Sequence, residues 1–142
     1  MAGKIIIDGT GAIFGRLCSF VAKRALEGRE VIIVNCEKII ITGNKKQVVE
    51  KYKVLRAKGG HSQKGPEISK SPYRMLKRGI RGMLPDFRKG IGRDAFKRVK
   101  CYDDVPSELE GEKMLKITAP KKFKYIELKE LVERVWNDWK KC

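Results

Sequence analysis

The sequence predicts an α/β fold: one three-layer domain over residues 1–142, with a small, mostly parallel sheet of about four strands flanked by helices, basic loops and a C-terminal amphipathic helix. The N-terminal stretch runs strand, glycine turn, helix, strand, which is a βαβ unit and requires parallel strands. The chain has 142 residues and is 42% apolar, enough to bury a core of its own. It closes on a helical stripe, in which Leu128, Leu131, Val132, Val135, Trp136 and Trp139 recur at the spacing of one helix face.

Lys4–Asp8 (KIIID) is a β-branched run that ends in turn residues, a short buried strand. Gly9 to Gly15 is a glycine-rich turn. Leu17, Cys18, Phe20, Val21, Ala25 and Leu26 then repeat at helical spacing, and Gly28 stops the helix. Glu30–Asn35 (EVIIVN) is a second buried strand, and Lys38–Ile41 (KIII) a third. Asn44 caps a helix to about residue 58 with Val48, Val49, Tyr52 and Leu55 inward. Residues 59–72 hold Gly, Ser, Gln, Pro and Lys and form a long exposed loop. Ser71-Pro72 opens a helix that Pro85 stops. Residues 86–98 allow a short helix within a loop, and Arg98–Asp103 a fourth strand. Residues 104–113 are acidic and turn-like, 114–119 fit no single pattern, and the last helix runs over 126–140.

Several classes fall away. No apolar run approaches the ~18–20 residues of a membrane span. The start lacks the layout of a secretory leader, so a cytoplasmic protein is expected. The cysteines stand apart at 18, 36, 101 and 142 with a single histidine, His61. That spacing suits free thiols in a reducing compartment rather than a metal site, and gives no Cys-His or Ser-His-Asp set.

The net charge is +16 and it is concentrated. Residues 38–100 hold 19 basic and 4 acidic residues, whereas both flanking stretches are nearly neutral. A chain tuned for solubility would mix the signs. One basic stretch implies one functional face and a polyanionic partner.

Two motifs bear on that partner. Gly9-x-Gly11-x-x-x-Gly15, between a strand and a helix, has the setting of a pyrophosphate-binding turn, with Glu37 after the second strand. Its spacing is one residue longer than the dinucleotide pattern, and Asp8 would stand beside the phosphates. A glycine turn required by packing, a nucleotide site and an RNA phosphate contact all fit. The second motif is Arg74, Lys77, Arg78 and Arg81 at i, i+3, i+4 and i+7. On the ~100° step they share one sector, roughly 130° from Tyr73, Leu76, Ile80, Met83 and Leu84. Gly79 and Gly82 lie on a third side, and each costs about 1 kcal/mol of helix propensity. Lys53, Arg56, Lys58, Lys64 and Lys70 precede this helix, and Arg88, Lys89, Arg93, Lys97 and Arg98 follow it. With His61 in the loop, these residues are the candidate RNA-binding set. Arginine adds a planar fork for phosphate and a face for stacking on bases. The basic helix lacks the apolar aromatic face an interfacial membrane helix needs. Glycine-broken basic loops on a compact core suit an irregular, folded RNA.

The segments GTGAIFGRLCSFVAKRALEG (9–28), VIIVNCEKIIITG (31–43) and RMLKRGIRGMLPDFRKGIGRDAFKRVKCYDDVP (74–106) resemble the L-thirteen family of large-subunit ribosomal proteins, in its short archaeal form. The most specific block is Arg81-Gly-Met-Leu-Pro85 followed by Gly92-Arg93. The resemblance implies a structural protein of the large ribosomal subunit, acting early in assembly. Its partners would be ribosomal RNA and neighbouring ribosomal proteins, with no cofactor, small-molecule substrate or membrane. It also implies a compact three-layer α/β fold. The histidine-rich stretch of bacterial members and the C-terminal extension of eukaryotic members are absent, so contacts made by those parts do not carry over.

Overall fold

The computed structural model describes residues 3–59, 65, 68–117 and 123–137. Strand β1 (Lys4–Asp8), helix α1 (Phe14–Leu26) and strand β2 (Glu30–Val34) form the expected βαβ unit, with Lys4 opposite Glu30 and Asp8 opposite Val34. Gly28, at φ 94°, takes the left-handed turn that ends α1. After β2 come a single 3-10 turn (Cys36–Lys38), strand β3 (Ile40–Thr42) and helix α2 (Lys45–Ala57). The Asn44 side chain accepts from the Lys46 amide at 3.1 Å, the cap the sequence predicts. Helix α3 (Pro72–Met83), helix α4 (Gly90–Lys97), strand β4 (Val99–Cys101), strand β5 (Leu115–Lys116), strand β6 (Tyr125–Glu127) and helix α5 (Leu128–Asn137) complete the chain.

The sheet order is β4-β2-β1-β5 and every neighbouring pair is parallel. Strand alternation divides its apolar residues between two faces. Ile7, Val31 and Ile33 enter the main core with Leu17 and Val21 of α1, Leu76 and Ile80 of α3, and Leu131 and Val135 of α5. Ile6, Ile32 and Val34 point the other way, under Leu109, Val105 and Met114. The three layers are therefore uneven: helices, sheet, and a thin cover from the 105–114 segment with its 3-10 turn at Ser107–Leu109.

Two elements differ from the sequence-based expectation. The KIII strand is shifted to Ile40–Thr42 and lies outside the parallel sheet; it pairs antiparallel with β6, Ile41 opposite Ile126. Ile126 therefore belongs to a strand, and the last helix starts at Leu128. Ile126 stands about 200° round a helix from Leu128 and so lies off the apolar stripe, in keeping with its place in a strand. Trp139 and the end of the expected 126–140 helix lie outside the described residues, as do residues 60–64 and 66–67 of the expected 59–72 loop.

The glycine turn closes on its own protein. The Gly9 amide donates to the Val34 carbonyl (2.9 Å), Gly11 to Lys38 (3.1 Å) and Ala12 to Gly9 (3.1 Å). The Asp8 carboxylate accepts from the Thr10 amide (3.0 Å), the Thr10 hydroxyl (2.8 Å) and the Asn35 side-chain amide (3.0 Å). The amides of Gly9, Thr10, Gly11 and Ala12 are thus engaged within the protein, and a carboxylate stands beside them where a phosphate would be repelled. Burial pushes the Asp8 carboxyl up, but the hydrogen bonds from Asn35 and Thr10, with the Lys116 charge, outweigh it and hold the group below the usual aspartate value.

Since the folded-state value is the lower one, Asp8 stabilises the fold above the unfolded aspartate value of about 3.9, and the contribution is lost as pH falls through the folded value. Asp8→Ala is expected to lose about 1–2 kcal/mol at neutral pH, with a smaller gap to the parent in acid. Urea melts of both proteins at neutral pH and well below the unfolded value check this; a gap that does not narrow contradicts it.

Candidate nucleic-acid interface

Helix α3 is two-sided. Leu76 and Ile80 are fully buried and Met75 nearly so. Met75 replaces Met83 in the expected inward set: Met83 is 47% exposed, because the helix ends there and Leu84 turns into the core instead. Pro72 occupies the first helical position, but Ser71 makes no side-chain cap. The Tyr73 amide donates instead to the Asp103 carboxylate, 30 residues on, at 2.9 Å. Burial pushes the Asp103 carboxyl up, and the Tyr73 bond partly opposes that. Gly79 lets α3 approach α1 closely, since a Cβ there would lie 2.8 Å from the Phe14 ring and 3.0 Å from the Cys18 sulfur.

The opposite side of α3 carries the cations. Arg74 and Arg78 are exposed, and Lys77 and Arg81 half-buried. The 84–89 turn and α4 continue the face with Arg88, Lys89, Arg93 and Lys97, all exposed. The turn is fixed at both ends. Leu84 is buried, the Arg88 amide donates to the Asp86 carboxylate at 3.1 Å, and a Cβ at Gly92 would collide with the Pro85 and Asp86 carbonyls.

Aromatic rings brace these cations. The Arg81 and Arg88 guanidiniums lie 4.7 and 5.4 Å from the Phe87 centroid, and the Lys77 ammonium 5.5 Å from that of Phe96. Phe87 and Phe96 meet at 6.4 Å. The Arg74 guanidinium sits 5.7 Å from the Tyr73 ring and its Nε donates to the Tyr73 hydroxyl at 3.0 Å. A cation against a ring keeps its outer N–H groups for an anion while losing rotamer freedom in advance, which lowers the entropy cost of binding. The sequence places Tyr73 on the core side of the helix and does not single out Phe87 or Phe96. Adjacency marks two of these pairs, Tyr73-Arg74 and Phe87-Arg88, whereas Phe96 meets Lys77 from a distant part of the chain and leaves no local signal.

Other candidates sit elsewhere. Arg56 on α2 donates to the Val135 carbonyl and its guanidinium lies 5.1 Å from the Trp136 ring, so it fastens α2 to α5. Lys70 lies 4.9 Å from the same ring, whose buried Nε1 has no hydrogen-bond partner among the described residues. Arg98 donates to the Ala25 carbonyl at 2.9 Å and ties α4 to the end of α1. Lys53 is half-buried on α2, and Lys58 is exposed just after it. His61 and Lys64 lie outside the described residues. Several carboxylates serve other faces: Glu130 pairs with Lys45 (3.3 Å) and Arg134 (2.8 Å), Glu30 with Lys100 (3.4 Å).

Cys18, Cys36 and Cys101 are buried free thiols. Burial, with the nearby Cys101, pushes the Cys18 thiol up to about 12, and a hydrogen bond with Cys101 together with burial pushes Cys36 up as well. Both stay protonated and unreactive at neutral pH. Among the described residues there is no group of three His, Cys, Asp or Glu that could hold a metal, and no helix long and apolar enough to cross a membrane.

These features define an α/β protein with a one-sided, aromatically braced cationic face. Residues 3–108 match the family model described as Ribosomal protein L13. The chain is similar to the large ribosomal subunit protein uL13 of Archaeoglobus fulgidus, 42% identical over 89% of this chain and 83% of that one. It is 41% identical to that of Methanosarcina barkeri over 92% and 96% of the two chains, and 44% identical to that of Methanocaldococcus jannaschii over 89% and 93%. The chain belongs to the ribosomal protein L13 family, whose members are structural constituents of the ribosome and not enzymes.

Gly82 and Gly92 separate packing from spare room. No described atom lies within 4 Å of a Cβ at Gly82, and its φ is not positive. Gly82→Ala is expected to stabilise the protein by up to about 1 kcal/mol through helix propensity. Gly92→Ala is expected to cost about 2 kcal/mol or more through overpacking against backbone. Thermal melts of the two variants check this, and equal shifts would contradict the packing described for α4.

Proposed function

We propose that the protein binds large-subunit ribosomal RNA through the cationic face of α3, the 84–89 turn and α4, beside neighbouring ribosomal proteins, and acts early in subunit assembly. The observation that carries this is the single face formed by Arg74, Lys77, Arg78 and Arg81, on a different side of α3 from the buried Leu76 and Ile80. The core side anchors the helix, so the cation side meets the partner as a rigid surface. Arg88, Lys89, Arg93 and Lys97 extend it, and Lys58, Lys70, His61 and Lys64 are further candidates of the proposed set, the last two outside the described residues. Arg56 and Arg98 act mainly by holding helices together. Support also comes from the relatives, which are named as large ribosomal subunit proteins, and from a net charge of +16 concentrated in the middle of the chain.

Neutralising phosphates releases counterions, so affinity should fall steeply with salt. Replacing Arg78 and Arg81 together by Ala is expected to shallow the slope of log K against log salt by up to ~0.9 per lost contact on duplex-like RNA. Filter binding across a salt series reads the slope. An unchanged slope would remove both residues from the interface.

A further inference from the structure

Between α3 and α4 lies a cleft of about 440 Å3, within the ~300–1,000 Å3 of pockets that take small ligands. Met75 and Phe96 form its apolar floor, and Arg74, Lys77, Arg78 and Arg81 surround it. A surface that only tracked phosphates would have no use for a recessed apolar floor. This one joins an aromatic ring and a thioether to cations whose positions are set by Tyr73 and Phe87. That mixture matches a nucleotide, with an apolar base face at one end and a phosphate at the other.

We propose that this cleft takes one unstacked nucleotide of the bound RNA, with its base against Phe96 and Met75 and its phosphate among the guanidiniums. The inference rests on the RNA-binding reading and narrows it, because a continuous duplex keeps its bases stacked and cannot fill the cleft. In the free protein the Lys77 ammonium lies over the Phe96 ring, at 5.5 Å. The base takes that face, and the ammonium moves outward to the phosphate. The protein therefore distinguishes bulged or looped RNA from regular helix, with Phe96 as the residue that makes the distinction.

The test uses the full chain and two RNA hairpins of equal length and charge, one continuous and one with a single bulged nucleotide. The bulged hairpin is expected to bind about tenfold more tightly or better, the effect of one base stacked on an aromatic side chain. Phe96→Leu keeps an apolar side chain against Phe87 but removes the π face; it should bring the ratio of the two affinities to about one, with the loss of the Lys77 brace acting on both hairpins alike. Phe96→Tyr should retain the preference. Equal binding of the two hairpins by the native protein, or a full preference in Phe96→Leu, overturns the proposal while leaving the RNA-binding reading standing. So does a free mononucleotide that binds as tightly as the bulged hairpin. Binding to neither hairpin sinks that reading and this inference together.

Discussion

Helix α3 meets α1 where Gly79 faces the Phe14 ring and the Cys18 sulfur, and the cationic face depends on that contact. Without a side chain at 79 the two helices close up, and Leu76 and Ile80 become fully buried. Each such burial stabilises by about 1.5–3 kcal/mol. The same seating fixes which way Arg74, Lys77, Arg78 and Arg81 point, because a helix that cannot rotate cannot redirect its outer side. The Asp103 carboxylate at the start of α3 and the buried Leu84 at its end hold the helix lengthwise.

Crowding cations has a cost. Like charges along one face repel and favour any state that spreads them. Among the described residues, Glu130, Glu30 and Glu37 pair with cations outside α3 and α4, and exposed pairs of that kind contribute at most about 1 kcal/mol. Aromatic rings brace the face instead. Phe87 lies against two guanidiniums and Phe96 against one ammonium, contacts of about 0.5–1 kcal/mol each at exposed sites, and they leave the charge available. Such a face gains most when a polyanion supplies the missing negative charge.

Much of the fold was legible because its signals are local. The β-branched runs of β1 and β2, the α1 stripe ended by Gly28, the Asn44 cap and the two-sided α3 all lie within a few residues of what they specify. What escaped depends on distant partners. Ile126 stands two residues before the last helix, yet pairs across the chain with Ile41. The α3 N-terminus is held by Asp103 rather than by the adjacent Ser71. In the candidate site, the cations of α3 were plain from their spacing, but Arg56 and Arg98 could be assigned to backbone carbonyls only once α5 and α1 were in place. The glycine turn was ambiguous for the same reason: whether its amides are free depends on Val34 and Lys38, which come later in the chain.

On the function proposed above, the core holds the cationic face of α3 and α4 in place for ribosomal RNA. Sedimenting a cell lysate and probing the gradient for this protein, at low and then moderate salt, tests it most directly. The account predicts co-migration with the large ribosomal subunit that survives the moderate salt wash. Migration as a free small protein under both conditions would contradict it.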